Sequence, residues 1–193
     1  MSNEMIVLGQ AIKSYITPQN ILDEINGIYD YRKENELPPT NKFLAGKIKS
    51  EHTLYHNEIN DKSKNFNFLS TKTLDWFQDK FQDYLRTVKA TSVTIRLSSI
   101  WVNQMYANEY NPVHTHFSSS SKLGLSSVMI LKLPSNYGEE YSRPDNPLNG
   151  QLQFMGNGGG QFAFTDYRPE PKVGDFFVFP YDMRHCVYPF NTT

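Results

Sequence analysis

Asp175-Phe176-Phe177-Val178-Phe179-Pro180, followed by Arg184-His185-Cys186-Val187-Tyr188-Pro189, decides the fold. The two runs read as short strands, 175 to 180 and 184 to 189, and Val173-Gly174 supplies the turn into the first. Working back along the chain, further strands are expected at 161 to 165, 151 to 155 and 125 to 133. Turn chemistry separates them at Gly156 to Gly160, Asn149-Gly150 and Pro134-Ser135-Asn136. Gly158-Gly159-Gly160 lies too far from any helix start to cradle a phosphate and reads as a hairpin tip. From Thr91 onward Val93, Ile95 and Leu97 alternate with Thr94, Arg96 and Ser98 before Ile100-Trp101-Val102, again a strand pattern.

The first half has a different period. Thr17 as N-cap and Pro18 at the first helical position precede Ile21, Leu22, Ile25, Ile28 and Tyr29 at helical spacing, and the helix should end near Asn35. A second helix follows Thr71 or Thr73, with Leu74, Phe77, Phe81, Tyr84, Leu85 and Val88 on one face that should pack on a sheet. Between them, Leu37 to Asn67 is polar and reads as solvated surface, where His52 and His56 could meet only across a helical turn. Two helices followed by many short strands give an α+β chain, mostly antiparallel β, as a sandwich or open barrel with the helices on one face.

A chain of 193 residues fits a single domain, with about 1–90 as helical support and about 91–193 as the β core. A composition 38% hydrophobic and 20% charged is that of a globular chain. The net charge of −1 argues against nucleic acid as a general partner. One cysteine, Cys186, excludes an internal disulfide framework. No apolar run reaches the length of a membrane span or follows a basic leader, so the cytoplasm (a host's, if the chain is viral) is the expected location. Oligomeric state is not readable.

Three of the five histidines carry the chemistry. His114 and His116 share a face if their segment is extended, and Asn111-Pro112 biases it that way. His185, from a later strand, would complete a set of three neutral nitrogen donors suited to a divalent transition metal.

Trp101-Val102-Asn103, Tyr110-Asn111-Pro112-Val113-His114-Thr115-His116, Leu131-Lys132-Leu133-Pro134, and Gly174-Asp175-Phe176-Phe177-Val178-Phe179-Pro180 with His185 occur in an order that resembles the Fe(II)/2-oxoglutarate oxygenases. The likeness covers roughly residues 90 to 190 and looks closest to the phage and marine-bacterial branch near the prolyl-4-hydroxylase-like enzymes. It implies a double-stranded β-helix, a jelly-roll barrel of cupin type, with Fe(II) at its mouth and 2-oxoglutarate as cosubstrate. By position, His114 would be the first metal ligand and His185 the distal one. The usual triad has Asp or Glu two residues after the first histidine, where this chain has His116. The second ligand is therefore His116 or an acid such as Asp182 or Asp175.

The resemblance also implies a cation for the far carboxylate of 2-oxoglutarate, usually an Arg past the distal histidine. None stands there before Thr193, so either a further strand carries it or Lys132 or Arg96 serves; Arg184 adjoins His185 and should face the other way. Tyr110, Asn103 and Tyr188 are candidate hydrogen-bond partners of the near carboxylate or the substrate. The aromatic residues Trp101, Phe117, Phe154, Phe162, Phe164 and Phe179 would form core or keep water from the site.

The activity implied is hydroxylation of a C–H bond in a small molecule or peptide, a peptidyl proline or another side chain, with O2 consumed and succinate and CO2 released. Two other readings stay open at this level: a three-histidine cupin-type dioxygenase without 2-oxoglutarate, and a non-catalytic β-sandwich binding module. The polar segments Ser118–Ser121 and 136 to 149, which includes Tyr137, Glu139, Glu140, Arg143 and Asp145, are candidate lips of the site or ordinary loops.

Overall fold

The structure, a computed structural model, describes residues 9–35, 46–57, 66–90, 92–116, 123–139, 145 and 147–192. In chain order the elements are β1 (Lys13–Ile16), α1 (Gln19–Glu34), β2 (Ser50–His56), β3 (Phe66–Asn67), α2 (Thr71–Thr87), β4 (Ser99–Gln104), β5 (Asn111–His114), β6 (Leu125–Met129), β7 (Leu152–Met155), β8 (Asp166–Tyr167), β9 (Asp175–Pro180) and β10 (Arg184–Val187). The strands form three antiparallel sheets, ordered β1-β9-β6, β5-β10-β7-β8 and β3-β2-β4. Mostly β with two helices is as expected, but no sheet closes into a barrel among the described residues.

β9 is apolar from Phe176 to Phe179, in keeping with cover on both of its faces. Phe176 and Val178 join the core under the helices. There Phe176 has the rings of Tyr15, Trp76, Phe77 and Phe81 around it, with centroids 5.1–6.2 Å away. Phe177 and Phe179 point the other way and pack with Leu152, Phe154 and Met183 in a second core between the first two sheets.

The helices form largely where expected, with their starts altered by tertiary bonds. Thr17 does not cap α1: its backbone N–H donates to the Gly174 carbonyl at 2.8 Å and its hydroxyl has no hydrogen-bond partner. Pro18 takes the cap position instead, its carbonyl receiving the Ile21 and Leu22 N–H groups, and the helix ends at the Asn35 cap. α2 is capped by Ser70, whose hydroxyl accepts from the Thr73 N–H. Glu24 of α1 ties this turn to its own helix, accepting from the Ser70 hydroxyl and the Thr73 hydroxyl at 2.8 and 2.7 Å.

Four strand expectations are corrected. Residues 161 to 165 form no strand; a turn closes at the Ala163 N–H to Gly160 carbonyl bond, Phe162 and Phe164 are exposed, and β8 begins only at Asp166. Residues 93–98 keep the alternation in burial but pair with no strand, so β4 starts at Ser99. β6 stops at Met129, although Ile130 still exchanges bonds with Gly174 and Asp175. The segment read as solvated contains β2, with Glu51, His52 and Leu54 buried. His52 meets Tyr29 edge-on at 5.5 Å rather than His56 across a helical turn. Polar composition concealed a strand whose burial comes from α1 and β4.

Phe176→Ala, which empties the junction of β9 with β1 and α2, should lower stability by about 3–5 kcal/mol in urea denaturation.

Candidate metal centre

Antiparallel pairing sets the site. β10 lies between β5 and β7, with His185 opposite both His114 and Phe154. His114 ends β5, and His116, just past it, is held by its backbone N–H to the Tyr181 carbonyl at 2.8 Å. The rings converge, with centroids 4.2 Å apart for His114 and His185, 5.1 Å for His114 and His116, and 5.2 Å for His116 and His185. One ligand nitrogen from each lies within 4.8 Å of the others, so the three could hold one metal ion.

The tautomers follow from local bonds. His114 Nδ1 lies 2.8 Å from the Pro112 carbonyl and His185 Nδ1 lies 3.0 Å from the Met183 carbonyl. A carbonyl only accepts, so each Nδ1 carries the proton and each Nε2 keeps a free lone pair. Burial holds His116 down at about 4, with its neighbour His114 adding to the effect. Burial likewise holds His185 at about 4, opposed by its bond to Met183 and assisted by His114 and His116. Both are neutral at pH 7, the form that binds metal. The rings of Phe179 and Phe154 stand 5.0 and 6.3 Å from His185, and Trp101 stands 6.0 Å from His116.

The other candidates are dispersed. Asp175 accepts from the Lys172 N–H and Asp182 from Gln10, and neither joins the histidine cluster. Lys132 is exposed and paired with Asp30 of α1 at 3.2 Å, while Arg96 donates to Asn57. Arg184 is exposed and donates to the Gly156 carbonyl, in keeping with a face opposite His185. Tyr188 donates to Gln153 at 2.6 Å, and Gln153 pairs with Cys186, so Tyr188 also lies on the face away from His185. Tyr110 is exposed and exchanges backbone bonds with Lys47. Asn103 lies on the β4 face that presents Trp101, with a buried side-chain oxygen lacking a hydrogen-bond partner.

Glu51 was not anticipated. It sits opposite Asn103 in the β2–β4 register and is buried, which pushes its carboxyl up to about 7. Its only signal in the sequence was an acid in a segment with no visible period. Phe117, Ser118–Ser121, Glu140 and Arg143 lie outside the described residues. The Tyr137 and Glu139 carbonyls accept from Asn149, and that of Glu139 also from Asn191, so this part of the 136–149 segment is pinned to the C-terminal end.

A family model described as "Putative 2OG-Fe(II) oxygenase" matches residues 99–193, the part of the chain that holds all three histidines. Residues 99–193 thus carry the Fe(II)/2-oxoglutarate oxygenase domain, that of enzymes that use Fe(II) and 2-oxoglutarate. The crystal structure of a prolyl-4-hydroxylase from Pseudomonas putida is similar in fold, with a TM-score of 0.54 at 15% identity over 95% of this chain and 86% of that one. No curated protein matches by sequence. Among the described residues no helix is long and apolar enough to cross a membrane.

A carboxyl raised from 4.5 to about 7 favours the folded state fully below its unfolded value, and that contribution is lost as pH rises through 7. Glu51→Gln, which cannot ionise, should match the parent protein near pH 4.5 and exceed its stability at pH 8 by on the order of 1–3 kcal/mol in urea denaturation.

Proposed function

We propose that this oxygenase holds Fe(II) through His114, His116 and His185 and hydroxylates a polypeptide side chain, a prolyl residue being the first candidate. The observation that carries the reading is the convergence of three imidazoles, two of them oriented through Nδ1 and two held neutral by burial. The donor set fits the ion: imidazole suits iron, and His116 occupies the position that a carboxylate takes in the common triad. The prolyl substrate rests on the printed activity of the Pseudomonas putida protein, and likeness of fold is only an analogy for substrate.

The chemistry that Fe(II) and 2-oxoglutarate supply when bound is oxidative decarboxylation to succinate and CO2, coupled to hydroxylation of a C–H bond. The chain's own residues prepare the site for it. His114 and His185 present fixed lone pairs because their Nδ1 protons are already committed. Phe154, Phe179 and Trp101 line the histidines with hydrocarbon and limit the water that reaches them. Asn103, facing as Trp101 does, offers a polar group for a carboxylate or the substrate. Three neutral ligands leave the ion's full charge to be balanced by the dianionic oxo-acid, which favours 2-oxoglutarate over a neutral chelating substrate.

The test is an anaerobic titration with Fe(II) and then 2-oxoglutarate, read by the visible metal-to-ligand charge-transfer band. The band should require both additions, vanish in His185→Ala, and persist in His116→Asp, where a carboxylate replaces the imidazole. Iron binding without a band would instead support a three-histidine dioxygenase that does not use 2-oxoglutarate. The band should also vanish in His116→Ala, and its persistence there would place the second ligand elsewhere.

A further inference from the structure

The β7–β8 connection is the part of the molecule whose composition makes least sense as it stands. Phe162 is 99% and Phe164 76% exposed, the two most exposed phenylalanines among the described residues. Phe162 also has φ 67°, a left-handed backbone that is uncommon for a bulky residue. Of the three consecutive glycines before it, only Gly160 needs to be glycine for its backbone, with φ 128°. A side chain on Gly158 or Gly159 would meet nothing within 4 Å, and neither has a left-handed backbone. Neither packing nor dihedral angle accounts for those two, which leaves backbone freedom as their use.

The register locates this loop. Arg184 pairs with Met155 and Met155 with Asp166, so residues 156–165 leave the sheet at the start of β10. His185 pairs with His114 at the end of β5, so the histidines occupy that same rim. The base of the loop is closed by the Gly156 N–H to Thr165 carbonyl bond at 2.6 Å. Just past it Tyr167 stacks on Phe154 at 6.3 Å, and Phe154 borders His185. Next to His116, on another sheet, Trp101 is 38% exposed.

From this we infer that residues 156–165 are a flap, hinged at Gly158-Gly159, that carries Phe162 and Phe164 over the histidine rim when 2-oxoglutarate occupies it. The inference rests on the oxygenase reading above. As the loop stands, the Phe162 ring is open to water and that of Phe164 largely so. A mouth filled by the oxo-acid offers them its methylene groups and the exposed edge of Trp101, and closure shields the site from solvent.

Chymotrypsin cleaves after exposed phenylalanine, so the flap can be followed without turnover. Under anaerobic conditions the bonds after Phe162 and Phe164 should be cut about tenfold more slowly with Fe(II) plus 2-oxoglutarate than with Fe(II) alone, as local opening sets the rate of proteolysis. His185→Ala should show no protection. Both side chains are exposed, so the double substitution Phe162→Ser, Phe164→Ser leaves the fold intact; it should weaken 2-oxoglutarate binding, titrated through the charge-transfer band, by about tenfold. A band with unchanged cleavage, or unchanged affinity in the double variant, overturns the flap and leaves the oxygenase standing. Absence of any band overturns the oxygenase reading and the flap together.

Discussion

β9 is clamped from both sides, and the position of the candidate metal centre follows from that clamp. Phe176 and Val178 are taken up by the helices while Phe177 and Phe179 fill the space between sheets. A shift of one residue along the strand would exchange the two sets, so the register is strongly specified. Pro180 ends the strand, the Met183 N–H returns to its carbonyl, and the chain enters β10 two residues before His185. The helical half of the molecule thereby helps to fix where His185, the proposed distal ligand, stands.

The site couples two requirements that pull against each other. Burial that keeps His116 and His185 neutral also makes a bare divalent charge costly to hold there. Three imidazoles return none of that charge, unlike a triad with a carboxylate. The oxo-acid then contributes electrostatically as well as chemically, and iron and cosubstrate should reinforce each other's binding.

Much of this was legible in the sequence where local signals and tertiary context agree. The α2 stripe from Phe77 to Leu85, the strands at 151 to 155 and 175 to 180, and the three histidines all have the period that their buried faces demand. The failures have a common cause. Phe162 and Phe164 look like a strand because they alternate, but they have no core to face. β2 looks like surface because Ser, Glu, His and Thr fill it, yet its burial is supplied by partners distant in sequence. Thr17 looks like a cap until Gly174 claims its N–H. Lys132 and Arg96 carry the right charge for a carboxylate, but charge alone does not reveal that Asp30 and Asn57 are their neighbours.

The alternation that turns His185 toward His114 turns its neighbour Cys186 the opposite way, into register with Gln153. Burial there pushes the thiol up, so it stays protonated and a poor nucleophile. An enzyme that activates oxygen runs the hazard of damaging itself, and sulfur is among the first casualties. Here the one cysteine, next in sequence to the proposed distal ligand, sits behind the thickness of a β-strand, so the pleat of the sheet serves as a radiation shield against the protein's own chemistry.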